Sequence, residues 1–126
     1  MEMAKIGATP EGGVSRVAVS EEDRLGRDLL RSWATPLVEE FHIDEVGNMF
    51  FVRHGQQPES PVILTGSHLD TQIHGGRFDG AFGVMAGLEV LRTLAEEDIR
   101  LPYGIGLVAW TCLLYTSDAA DDIPRG

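Results

Sequence analysis

Apolar positions recur at helical spacing in two stretches of the chain and gather into short runs in four others. Leu25, Leu29, Leu30, Trp33, Leu37 and Phe41 predict a helix that starts at Ser20 and carries on to Phe41. Ser20 can cap the free N–H groups, and Glu21, Glu22 and Asp23 favour the positive end of the helix dipole. Pro36 should kink this helix or end its first part. Ala81, Val84, Met85, Leu88, Leu91 and Leu94 predict a second helix from about Gly80 to Glu97. Its small residues Gly83, Ala86 and Gly87 should permit close packing.

The short runs read as strands. Ile43–Val46 and Met49–Arg53 should form a hairpin about Gly47 and Asn48. Val62–Thr65 and Ile105–Trp110 should be buried strands, the second after a break at Pro102. Residues 1–19 hold two Gly-rich turns and no apolar period, which predicts an irregular arm, and His54–Ser60 is a polar loop. No segment repeats. The order helix, hairpin, strand, helix, strand predicts an α/β layered domain.

Composition narrows the function more than the fold. The chain has 126 residues, enough for one domain with a real core, and 43% of them are hydrophobic. Twenty acids against ten Lys and Arg give a formal charge of −10. That argues against nucleic acid and against anionic membrane surfaces, both of which call for a basic patch. No apolar run approaches the length of a membrane span. Residues 1–10 have no continuous apolar region of the kind a secretory signal needs. Cys112 is the only cysteine, so no internal disulfide can form, which fits a reducing compartment. The expected location is the cytoplasm.

The chemistry concentrates in Gly66-Ser67-His68-Leu69-Asp70-Thr71 and Gly75-Gly76-Arg77-Phe78-Asp79-Gly80-Ala81. His68 falls at the carboxyl end of a predicted strand, where open α/β sheets place their ligands. One ring nitrogen of His68 can bind a metal while Asp70 holds the other and fixes the tautomer. Asp79 starts the next helix, and its two oxygens can bridge two cations. Gly75, Gly76 and Gly80 allow the tight turns that would bring Asp79 back to His68. The plainer reading is a satisfied loop His, with Asp79 as a helix N-cap. The whole string, with a strand before and a helix after, favours the metal.

The remaining candidates have simpler roles. His42 should end the first helix at the surface, and His54 should be solvated. His74, inside the site loop, is best read as an exposed tip, with a substrate role as the alternative. Trp33 and Phe41 should be core, and Glu96-Glu97-Asp98 a solvated helix end. Gly80-Ala81-Phe82-Gly83 lacks the Lys and the spacing of a phosphate-binding loop.

The two glycine-rich strings resemble the dinuclear metallo-hydrolases of the aminoacylase and carboxypeptidase superfamily. Within it they are most similar to the N-carbamoyl-L-amino-acid hydrolase, allantoate amidohydrolase and β-ureidopropionase group. Thr9-Pro10-Glu11-Gly12-Gly13-Val14-Ser15-Arg16 and Asp44-Glu45-Val46-Gly47-Asn48 also resemble segments of that group. The likeness runs from about Ile6 to Thr111. It implies a three-layer α/β/α catalytic domain, here truncated, without the lid and dimerisation domain through which the family forms homodimers. It implies two divalent metal ions, zinc or manganese. His68 would be a ligand of one metal, Asp79 a bridge between both, and Asp70 the catalytic-site carboxylate that orients His68. The implied reaction is metal-assisted hydrolysis of a small-molecule amide or ureide, with a Glu general base activating water. An exopeptidase or aminoacylase of the same superfamily is the alternative.

Beyond Thr111 the resemblance fails. Where the family continues Asn-Glu-Glu-Gly, this chain has Cys112-Leu113-Leu114-Tyr115 and then an Asp-rich stretch. Residues 112–126 resemble the translated end of a transposase adaptor from sequencing-library preparation. The expectation is therefore a native segment 1–111 followed by a non-native tail. Such a fragment lacks the general base and one carboxylate ligand, and it should leave the Val62 and Ile105 strands as exposed sheet edges. A genuine tail would favour a non-catalytic relative instead.

Overall fold

The computed structural model describes residues 2–71 and 75–111. The elements in chain order are α1 (Glu2–Lys5), α2 (Glu21–Ala34), a 3₁₀ turn (Thr35–Leu37), β1 (Glu40–Ile43), β2 (Met49–Arg53), β3 (Val62–His68), α3 (Ala81–Glu96) and β4 (Gly104–Trp110). The strands form one mixed sheet in the order β1-β2-β4-β3. β1 with β2 and β2 with β4 are antiparallel, whereas β3 and β4 are parallel and joined through α3.

Both predicted helices form, and the first is shorter than its apolar period. Ser20 caps α2 by accepting from the Asp23 N–H at 3.1 Å. The helix stops at Ala34 because Pro36 cannot donate to a helical ladder, and the chain tightens into the 3₁₀ turn. Phe41 and His42 therefore lie on β1 and not at a helix end. Phe41 stacks on its cross-strand partner Phe51 with ring centroids 4.9 Å apart. Leu25, expected on the apolar stripe, is 44% exposed.

The hairpin is real but offset. The first strand is Glu40–Ile43, not Ile43–Val46, because Asp44 organises the five residues 44–48 into a loop. Its carboxylate accepts from the N–H groups of Val46 and Asn48 and from the Asn48 amide. His54, expected in solvent, is half-buried and hydrogen-bonded through its Nε2 to the Glu40 carboxylate.

The residues 1–19 are less irregular than expected. Met3 on α1 is fully buried, and Val14, Arg16 and Ala18 point inward at alternate positions. Val14 bridges to Ala8 on one side and to Gly75 on the other.

The core lies on one face of the sheet. Met49, Phe51, Leu107 and Ala109 pack there against Leu30 and Ala34 of α2 and Ala81, Val84 and Leu91 of α3. Partly buried Trp33, Phe41, Met85 and Leu88 close its margins. Gly83 and Gly87 let α3 sit close to the sheet. A Cβ at either would come within 2.7 Å of Ser67 or Leu107. Ala86 faces solvent instead.

β4 runs between β2 and β3 and is buried along most of its length, so the Ile105 strand is no edge. β3 is one. Val62, Ile63 and Leu64 are 41%, 51% and 52% exposed, against the expectation of a buried strand. Among the described residues nothing pairs with the outer side of β3, so its apolar composition is not matched by burial.

Candidate metal centre

β3 runs three residues further than its apolar run predicts and delivers His68 at its carboxyl end. His68 is 6% exposed and Asp70 is 2% exposed. The ring Nδ1 of His68 donates to the main-chain carbonyl of Asp70 at 2.8 Å, and Asp70 Oδ1 stands 3.5 Å away. Asp70 thus orients the ring chiefly through its carbonyl, with the carboxylate alongside as a charge. This negative neighbour, with Asp79 as a smaller contributor, holds the His68 pKa above its ordinary value against the opposing effect of burial. With the proton on Nδ1, the Nε2 lone pair is free to bind a cation.

Asp79 supplies the second donor, a carboxylate oxygen. Its Oδ1 is 3.9 Å from His68 Nε2. It does not cap α3: Gly80 occupies the N-cap position and no side chain makes a cap bond. The turn 76–79, closed by the Asp79 N–H on the Gly76 carbonyl at 3.2 Å, brings the carboxylate back toward the strand end. Gly80 is indispensable to this approach. Its φ is +74°, and a Cβ there would stand 2.5 Å from both His68 Nδ1 and the His68 carbonyl oxygen.

The donor set fits a divalent metal. Imidazole nitrogen and carboxylate oxygen are ordinary zinc donors, and bonds of about 2.0–2.2 Å to one ion can span roughly 4 Å between donors. Among the described residues no group of three His, Cys, Asp or Glu side chains is close enough to hold a metal, so further donors are needed. His74 and residues 112–126 lie outside the described residues. His42 bonds Glu40 at 2.9 Å on the exposed side of β1, away from this site.

Sequence reasoning overlooked Arg16. It is fully buried: Nε donates to the Leu69 carbonyl at 2.7 Å, and Nη1 donates to the carbonyls of Met3 and Ile6 at 3.0 and 2.8 Å. Burial pushes its pKa down, opposed by Asp23 and Asp70. The signal available was the alternation Val14, Arg16, Ala18, a strand-like period with a cation at an inward position.

The peptidase family M28 profile matches residues 48–112, which include β2, β3, the site and β4. The chain belongs to peptidase family M28. The family carries divalent-metal dependence, in keeping with the donor set. An N-carbamoyl-L-amino-acid amidohydrolase of Rhizobium meliloti is 41% identical over 88% of this chain and 27% of its own length. An allantoate amidohydrolase of Bacillus subtilis is 38% identical over 75% of this chain and 23% of its own length. A hydantoinase/carbamoylase family amidase from Burkholderia ambifaria superposes with a TM-score of 0.83 at 49% identity, over 87% of this chain and 27% of that one. The chain therefore spans about a quarter of the length of these relatives. Its mixed sheet with helices matches their α/β catalytic domain. No helix among the described residues is long and apolar enough to cross a membrane.

Proposed function

We propose that this chain supplies the first ligands of a dinuclear metal centre in a hydrolase of linear amide or ureido C–N bonds. The substrate class is N-carbamoyl amino acids, allantoate or ureidopropionate. The observation that carries this reading is the pairing of His68 Nε2 and Asp79 Oδ1 across 3.9 Å at the carboxyl end of β3. Support comes from relatives that are amidohydrolases by name.

In this reading His68 binds one metal through Nε2, Asp79 bridges two, and Asp70 fixes the His68 ring. The ions are zinc or manganese. When bound, such ions polarise a carbonyl oxygen and lower the pKa of water. The chain's own part is preparatory. Asp70 keeps the His68 proton on Nδ1, and Gly80 lets the carboxylate of Asp79 and the ring of His68 approach. The whole protein is expected to be a cytoplasmic homodimer that acts on a small molecule and not on nucleic acid. We extend the proposal to residues 112–126, which we take to be foreign to the protein.

Titration of Zn²⁺ and Mn²⁺ into the chain tests the site. Wild type should bind, and His68→Ala and Asp79→Ala should each lose at least about tenfold in affinity. Equal affinity in all three would remove the basis of the assignment. A second reading, peptide-bond hydrolysis, is favoured by the description of the matched family. Parallel assays of the whole-length gene product on N-carbamoyl amino acids and on aminoacyl anilides separate the two.

A further inference from the structure

Four hydrogen bonds tie residues 14–16 to the two ends of the site loop. Val14 and Gly75 exchange N–H and carbonyl bonds, both 2.8 Å. The Arg16 N–H donates to the Thr71 hydroxyl, and the Thr71 N–H donates to the Arg16 carbonyl, both at 2.6 Å. Between them the Arg16 side chain reaches inward and its Nε holds the Leu69 carbonyl. The segment 69–71, whose Asp70 carbonyl receives the His68 ring proton, is thus gripped by Arg16 on both sides of Asp70.

The grip has a rigid back. The Nη1 bonds to Met3 and Ile6 anchor the guanidinium on α1 and the residue after it. The aliphatic part of Arg16 fills the space beside Gly26 of α2, where a Cβ would stand 3.1 Å from its Cδ. Asp23 of α2, 5% exposed, and Asp70 are the carboxylates whose charge acts on it. A buried cation with so many directed bonds is costly unless each is used. Arg16 Nη2 and both carboxylate oxygens of Asp70 are buried without a hydrogen-bond partner among the described residues. The charge of Asp70 acts on the guanidinium, adding to the bonds that Arg16 makes to Leu69 and Thr71 on either side of it.

We propose that Arg16 is a positioning residue of the metal centre: it fixes the 69–71 turn so that the Asp70 carbonyl selects the Nδ1–H form of His68 and leaves Nε2 facing Asp79. The proposal rests on the metal-site reading above for its functional meaning, and on the hydrogen-bond geometry for its structural content. Arg16 has no hydrogen bond to His68 or Asp79; it acts through Leu69, Asp70 and Thr71.

The test compares Arg16→Met and Arg16→Lys with wild type in the full 126-residue chain, by ¹⁵N spectra of the imidazole rings and by Zn²⁺ titration. Wild-type His68 should carry its proton on Nδ1. Arg16→Met should shift His68 toward the Nε2–H form and weaken Zn²⁺ binding by roughly ten- to a hundredfold, the effect of losing an outer partner of a ligating His. Arg16→Lys, which keeps the charge, should recover part of both. An Arg16→Met chain with wild-type tautomer and wild-type Zn²⁺ affinity overturns the proposal. If Arg16→Met does not fold, Thr71→Val decides, since it removes the hydroxyl that accepts from the Arg16 N–H and leaves the Arg16 side chain in place. The same two losses support the proposal, and neither loss overturns it. A wild-type chain that takes up no Zn²⁺ counts against the metal-site reading, while the tautomer comparison still judges Arg16.

Discussion

The side chain of His68 is 8% exposed and that of Asp79 is 48% exposed, although they face each other across 3.9 Å. His68 sits at the end of a seven-residue strand, its Nδ1 bonded to Asp70 and the turn behind it gripped by Arg16. Asp79 projects from a turn into the open, and no element of the described chain backs it. The sheet repeats the contrast. β4 has neighbours on both sides and is buried, whereas β3 has one neighbour among the described residues and leaves three consecutive apolar residues half in water. The half of the site that depends on local chain is finished, and the half that faces outward is furnished with donors but unsupported. Among the described residues the orientation of His68 is thus complete, while only His68 and Asp79 face the place an ion would take.

The largest expected effect concerns activity. This chain, supplied with Zn²⁺ or Mn²⁺, should show no turnover of N-carbamoyl amino acids or allantoate. Absence of a general base alone typically costs about 10²–10⁴-fold. Turnover that disappears in His68→Ala would mean that the outward half is more complete than the contrast allows.

Next comes the sheet. Leu107→Ala, in the fully buried part of β4, should cost about 2–5 kcal/mol in denaturant unfolding. Leu64→Ala on β3 should cost less than about 1 kcal/mol, because its side chain is already half in water. Equal costs would show that β3 is covered in solution.

Gly80→Ala sharpens the comparison at the site itself. A methyl group in the left-handed region and against the His68 ring should cost about 2–4 kcal/mol, from backbone strain and overpacking together. Gly12, also at positive φ but with nothing within 4 Å of its absent Cβ, should lose only about 1 kcal/mol on the same change. A similar loss at both positions would leave no role for the close approach to His68.

The smallest effect is electrostatic and lies far from the site. Arg100 forms a two-pronged ion pair with Glu39, both bonds 2.9 Å, and holds the Glu39 pKa down at about 2. A carboxylate depressed on folding adds stability that is present above its ordinary pKa of 4.5 and is lost as pH falls toward 2. Both side chains are more than a third exposed, so Glu39→Gln should cost less than about 1 kcal/mol at pH 7 and only a small fraction of that at pH 2. Unfolding curves at the two pH values check the sign.

Much of this was legible in the sequence. The stripe of α3 and the runs that became β2 and β4 are local, periodic signals, and they place the site loop between a strand and a helix. His68, Asp70 and Asp79 come together as their spacing suggested. Three things needed tertiary information. Phe41 and His42 fit a helical period, yet Pro36 ends the helix and cross-strand pairing with Phe51 and Phe50 claims them for β1. Val62-Ile63-Leu64 reads as a buried strand, since an apolar run records the strand's preference and not whether a neighbour is present to satisfy it. Arg16 was hidden because a cation in a glycine-rich arm looks like surface until Leu69, 53 residues away, is brought to it.

The sheet order carries a consequence for biosynthesis. β4, the last made of the four described strands, is the one that lies in the middle, between the β1–β2 hairpin and β3. Until residues 104–110 leave the ribosome, the earlier strands have no common partner, and the hairpin alone is marginal in water. The chain must therefore wait, with β3 and the stripe of α3 uncovered, for a contact that spans some sixty residues from Met49 to Ala109. A nascent chain arrested with β4 still in the exit tunnel should be cleaved readily by protease. One released a few dozen residues later should resist.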